Sequence, residues 1–83
     1  MSMTRDAIER LRSKGEHFIY SLEANSDNMI RLQERGQFTA SREMKTGISG
    51  YLHGLRDAGI ISENERRVLY IYYATTRGTV QEA

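Results

Sequence analysis

The sequence predicts an all-α protein, a small three-helix domain, on three observations. No proline occurs in its 83 residues. Apolar residues recur at alternating spacings of three and four over long stretches, the period of one helix face. Ser62 and Glu65 stand three apart beside an apolar run, the pattern of a capping box at a helix start.

The first element follows from Ile8, Leu11, Gly15, Phe18, Leu22, Asn25, Met29 and Leu32, which hold one register from about 5 to 35. Thr4 is the expected N-cap, Asp6 and Glu9 suit the positive helix end, and Gly36 is the expected stop. Asn25-Ser26-Asp27-Asn28 offers an alternative, two helices broken near 25–28, because each of these side chains can bond its own backbone. The apolar register crosses the run, which favours the unbroken helix.

A second helix is expected after a cap at Thr39 or Ser41. Ala40, Met44, Ile48, Tyr51, Leu55 and Ala58 share its inner face, with Leu52 at the margin, and Gly59 stops it. The third is expected from about 63 to 75, with Ile60-Ile61 stapling its entry and Val68, Leu69, Ile71 and Tyr72 buried. Val, Ile, Tyr and Thr crowd residues 68–76 and would suit a strand, but the capping box decides for helix. The whole, residues 1–83, reads as one domain, with a frayed C-terminus from about 78.

The 39% apolar and 28% charged content fits a folded chain, and the net charge is +1. Residues 1–35 carry six bases and six acids, and residues 42–77 carry six bases and four acids, so neither half is a dense nucleic-acid footprint. No apolar run approaches the roughly 18 residues of a membrane span. Without cysteine there is no disulfide framework and no thiol nucleophile. A cytoplasmic setting is expected, although the lack of cysteine also suits export.

Catalysis is not expected, and no catalytic, cofactor-binding or metal-binding residue is predicted. HExxH, phosphate-loop and dinucleotide-turn motifs are absent, and Glu63 and Glu65 belong to an exposed turn without a desolvating cleft. Gly47, Gly50 and Gly54 lie along one flank of the second helix beside Ala40 and Ala58. Interior glycine costs up to about 1 kcal/mol against alanine, so close approach of another backbone is expected there. The first helix of the same chain and a partner helix are the two candidates. A core this thin also makes a homodimer a candidate, alongside a self-sufficient monomer.

Three surfaces carry the functional expectation. Arg66, Tyr70, Tyr73 and Arg77 fall at i, i+4, i+7 and i+11 on the side of the third helix away from Val68 and Ile71. Two exposed tyrosines between two arginines have the composition of a protein-binding hot spot. Arg42, Lys45, His53 and Arg56 lie with Ser49 within about 80° of one another and form a secondary basic face, suited to phosphates or to an acidic protein. The stretch LRDAGIISENERRVL has the shape of a DNA-binding helix-turn-helix, in which Asn64 and Arg67 would read bases, though Glu63 and Glu65 would repel phosphate.

The stretch GYLHGLRDAGIISENERRVLYIYY also resembles short, uncharacterised bacteriophage and mobile-element proteins of Gram-positive bacteria, over residues 47–73. The resemblance implies a small accessory product: a repressor-like regulator, or a stoichiometric inhibitor of a host system such as an anti-CRISPR protein. The leading expectation is therefore a non-enzymatic protein-binding module, inhibitor or adaptor, acting on a protein partner by occupancy. The alternative is a dimeric DNA-binding transcriptional regulator.

Overall fold

Two glycines divide the chain where the sequence places its stops. The computed structural model describes residues 2–77, in which α1 (Met3–Lys14), α2 (Glu16–Glu34), α3 (Phe38–Asp57) and α4 (Glu63–Ile71) are followed by a π-helical segment, Tyr72–Thr76. Gly36 (φ 76°) and Gly59 (φ 77°) take the left-handed backbone that ends α2 and α3. Each sits in a Schellman arrangement: Gln37 N–H reaches Leu32 O at 2.9 Å, and Ile60 N–H reaches Leu55 O at 2.9 Å. The capping box is formed as predicted, with Glu65 N–H on Ser62 Oγ at 3.1 Å and Ser62 N–H on Glu65 Oε1 at 2.7 Å. The expected fraying from about 78 lies outside the described residues.

The expected long first helix is instead two helices, and the break falls at Gly15. Gly15 is extended (φ 163°), and a Cβ there would come within 2.6 Å of His17 Cε1 and 3.1 Å of Phe18 Cε2. The imidazole and phenyl rings, 4.0 Å apart, fill the space a side chain would need. Ser2, not Thr4, caps α1, its Oγ accepting from Arg5 N–H at 2.9 Å.

Residues 25–28 remain helical, and three of the four have tertiary partners for their polar groups. Ser26 Oγ donates to Tyr73 O at 2.6 Å, Asp27 pairs with Arg77 at 2.6 Å, and Asn28 approaches Met44 Sδ at 3.8 Å. Side chains engaged across the core do not compete with their own helix ladder. The cap of α3 likewise differs from expectation. Gln37 occupies the position without a side-chain bond, while Ser41 turns inward and donates to Met29 O at 3.2 Å.

One core draws on every element: Ala7 and Leu11 of α1, Ile19, Leu22 and Met29 of α2, Ile48, Leu52 and Leu55 of α3, Ile61, Leu69 of α4, and Tyr73 and Ala74. On α3 the inward line centres on Ile48 and Leu52, and Ala58 is exposed. Gly47, Gly50 and Gly54 are exposed as well, with nothing within 4 Å of a Cβ built on any of them. The first helix of the chain therefore makes no close approach to them.

The last turns differ most from the sequence reading. In the π segment Arg77 N–H bonds Tyr72 O five residues back, and this widened turn brings the adjacent pair Tyr73 and Ala74 inward together. The Tyr73 carbonyl takes the buried Ser26 hydroxyl proton. Ser26→Ala would remove this buried hydrogen bond and is expected to lower stability by about 1 kcal/mol, read as a reduced urea midpoint at unchanged m-value.

Candidate interaction surfaces

Of the four residues predicted as a tyrosine–arginine face, the two tyrosines pack on the core and the two arginines are held in ion pairs, which corrects the helix phase read from sequence. Tyr73 is 1% exposed and stands in the core, and Tyr70 is half-buried against it. Arg66 is drawn onto Glu63 through two bonds, Nε–Oε1 at 2.9 Å and Nη2–Oε2 at 2.7 Å. Arg77 reaches back to Asp27, and its guanidinium lies 5.9 Å from the Tyr73 ring centroid. Arg77 thus ties the π segment to α2, whereas the Arg66 pair lies within α4.

What α4 presents outward is the opposite line. Leu69 and Tyr73 define its inner side, which places Asn64, Arg67 and Ile71 outside, all exposed. Ile71, expected inside, is 54% exposed. Met3 of α1, 63% exposed, shares an open groove with Asn64, Glu65 and Val68. Met3, Asn64 and Val68 thus line the α1–α4 edge, and Arg67 and Ile71 continue the exposed line along α4. Arg67 makes no ion pair among the described residues.

The two candidate DNA readers, Asn64 and Arg67, share this outward edge, but the charge around them is compensated. Glu63 pairs with Arg66 and with Arg56 at 2.7 Å, and Glu65 pairs with Arg10 at 2.7 Å. The bonds from Arg66 and then Arg56 hold the Glu63 carboxyl down at about 2. Burial pushes Glu65 up, but the Ser62 N–H bond and the Arg10 charge outweigh it and keep the carboxyl below its ordinary range.

The secondary basic face is divided. Arg56 spans from α3 to α4, bonding Asp57 and Glu63, and is a structural cross-link. Arg42 and Lys45 make no ion pair among the described residues and belong to a different group, lining an open groove of about 200 Å³ with Gln33, Phe38 and Ser41. His53 is half-buried about two turns further along α3. Phe38, 62% exposed, did not enter the sequence reading as a surface residue. Its signal was its place just after the Gly36 stop, at a helix start where no earlier turn covers the ring.

Among the described residues no three His, Cys, Asp or Glu side chains converge as a metal site, and no helix is long and apolar enough to cross a membrane. No protein-family model matches the chain, and no match was found to a curated protein or to a solved structure.

Proposed function

We propose that this chain acts by occupancy, as a small helical protein-binding module that docks through the α1–α4 edge. The observation that carries the reading is the exposure of Met3 at the α1–α4 groove together with Ile71 and Arg67 on the outward line of α4, Arg67 making no ion pair among the described residues. Methionine, arginine and a large aliphatic residue on a rigid helix supply buried area together with an orienting charge, the mixture enriched at interface centres. An exposed isoleucine stands to gain about 2 kcal/mol on full burial by a partner, a gain available only from outside the chain. The resemblance to phage and mobile-element proteins supports a stoichiometric inhibitor or adaptor as the biological role.

A second reading is favoured by the outward placement of Asn64 and Arg67 near the start of α4, where a DNA reader carries its base contacts. It makes the chain a dimeric DNA-binding regulator. The local charge balance weighs against it, because Arg10, Arg56 and Arg66 are consumed by Glu63, Glu65 and Asp57.

The test is a nuclease-treated pull-down from Gram-positive lysate with wild type and Arg67→Ala/Ile71→Ser. Both side chains are solvent-facing, so thermal stability is expected to stay within about 0.5 kcal/mol. A discrete protein retained by wild type and lost by the variant supports the module. Retention of that protein by both baits removes the α1–α4 edge from consideration. If purified wild type instead shifts a DNA fragment, with affinity falling steeply as salt rises, the regulator reading takes its place.

A further inference from the structure

Five of the twelve cations, Arg10, Arg12, Arg56, Arg66 and Arg77, stand in ion pairs among the described residues, and Lys14 Nζ donates to Ile60 O. Three of the others gather at the corner between α2 and α3. Arg42 and Lys45 make no ion pair among the described residues, and neither does Arg35 in the turn. The groove that Arg42 and Lys45 line contains no carboxylate, only Gln33, Phe38 and Ser41 beside them. The first turn of α3 has no acidic residue either. Glu43, the nearest acid along α3, sits about 100° round the helix from Arg42. Arg42 and Lys45 therefore stand beside a phenyl ring that is largely in water, and across residues 31–45 the four bases Arg31, Arg35, Arg42 and Lys45 exceed the two acids Glu34 and Glu43.

We infer that this corner is a docking surface for an acidic peptide segment bearing an apolar side chain. The apolar side chain would cover Phe38, and flanking carboxylates would reach Arg42 and Lys45. Charge complementarity selects this occupant. A second copy related by a two-fold axis would set Arg42 and Lys45 against their own images, so the missing negative charge comes from a different molecule. A nucleic acid strand is disfavoured by scale, since two lining cations on a chain of net charge +1 grip one or two phosphates and lack the long basic track of strand-binding proteins. The corner is distinct from the α1–α4 edge: its groove is lined by residues 33–45 of α2 and α3, and none of Met3, Asn64, Arg67, Val68 or Ile71 takes part in it. The inference stands or falls independently of the function proposed above.

An NMR titration of the isotope-labelled full chain tests it. The probe is a short peptide of aspartates and glutamates around a central Phe-Leu pair, compared with one carrying serine for every acid and one carrying alanine for Phe-Leu. The expected result is amide shifts at Gln33, Phe38, Ser41, Arg42 and Lys45 with the first peptide, weakened about tenfold or more by either change in the peptide. Phe38→Ser and Arg42→Gln/Lys45→Gln are each expected to cause a similar loss without moving the melting temperature. Shifts that spread elsewhere, or that persist with the serine peptide, overturn the inference. So does the lack of any shift, or an oligothymidylate that binds the same corner more tightly than the acidic peptide.

Discussion

Truncating Tyr73 to Ala is expected to cost about 3–5 kcal/mol, enough to leave a domain of this size largely unfolded. The ring is among the largest fully buried side chains of the chain, packed edge-on to Tyr72 at 5.0 Å, with the Arg77 guanidinium near its face. Removing it opens a cavity where α2, α3 and the π segment meet, and it also strips the Arg77–Asp27 pair of the surface it lies on. Circular dichroism of the variant should show most helix lost at ambient temperature. Ile71→Ala, two residues away, should melt within about 0.5 kcal/mol of wild type, because Ile71 faces solvent. If the two variants behave alike, the phase of the last turns is misassigned.

The same residue sets an alkaline limit on the fold. Burial pushes the Tyr73 hydroxyl up to about 12 from an ordinary value of 10. Because the folded value is the higher one, the unfolded chain ionises first. This contribution is complete below about pH 10 and is lost as pH rises towards 12. Tyrosine absorbance followed against pH should show a late ionisation step together with loss of helix. In Tyr73→Phe that late step should be missing.

Why Tyr73 was read as exposed has a physical origin. Val68 to Ala74 is an unbroken apolar and aromatic run, so no polar residue marks which side of the helix meets water. Two helical phases fit equally well, and the π turn then changes the residues per turn within the run. The Asn25–Asn28 segment misleads for the opposite reason. Its polar residues look like turn formers locally, but the partners of Ser26 and Asp27 lie 47 and 50 residues away, beyond any window of sequence. The capping box and the glycine stops were legible because their chemistry closes within a few residues. Among surface residues, Asn64 and Arg67 are exposed as their polarity implies, whereas the exposure of Phe38 depends on a chain corner that no local pattern declares.

Replacing Gly47, Gly50 and Gly54 together by Ala is expected to stabilise the protein by about 2–3 kcal/mol, since each interior helical glycine costs up to about 1 kcal/mol relative to alanine. For a domain of this length that is a rise in melting temperature of about 10–20 °C. All three lie inside α3 with ordinary helical backbone, and a Cβ at each meets nothing within 4 Å, so no packing penalty opposes the gain. The identical substitution should reverse sign elsewhere in the same chain. At Gly36 and Gly59 the left-handed φ makes alanine unfavourable by about 1 kcal/mol, and at Gly15 the new methyl would displace the His17 ring. Thermal melts of these single variants beside the triple separate the causes. Stabilisation confined to the α3 sites means that backbone entropy and helix propensity govern them. A destabilised triple variant would mean that the exposed side of α3 is covered in solution, by another copy of the chain.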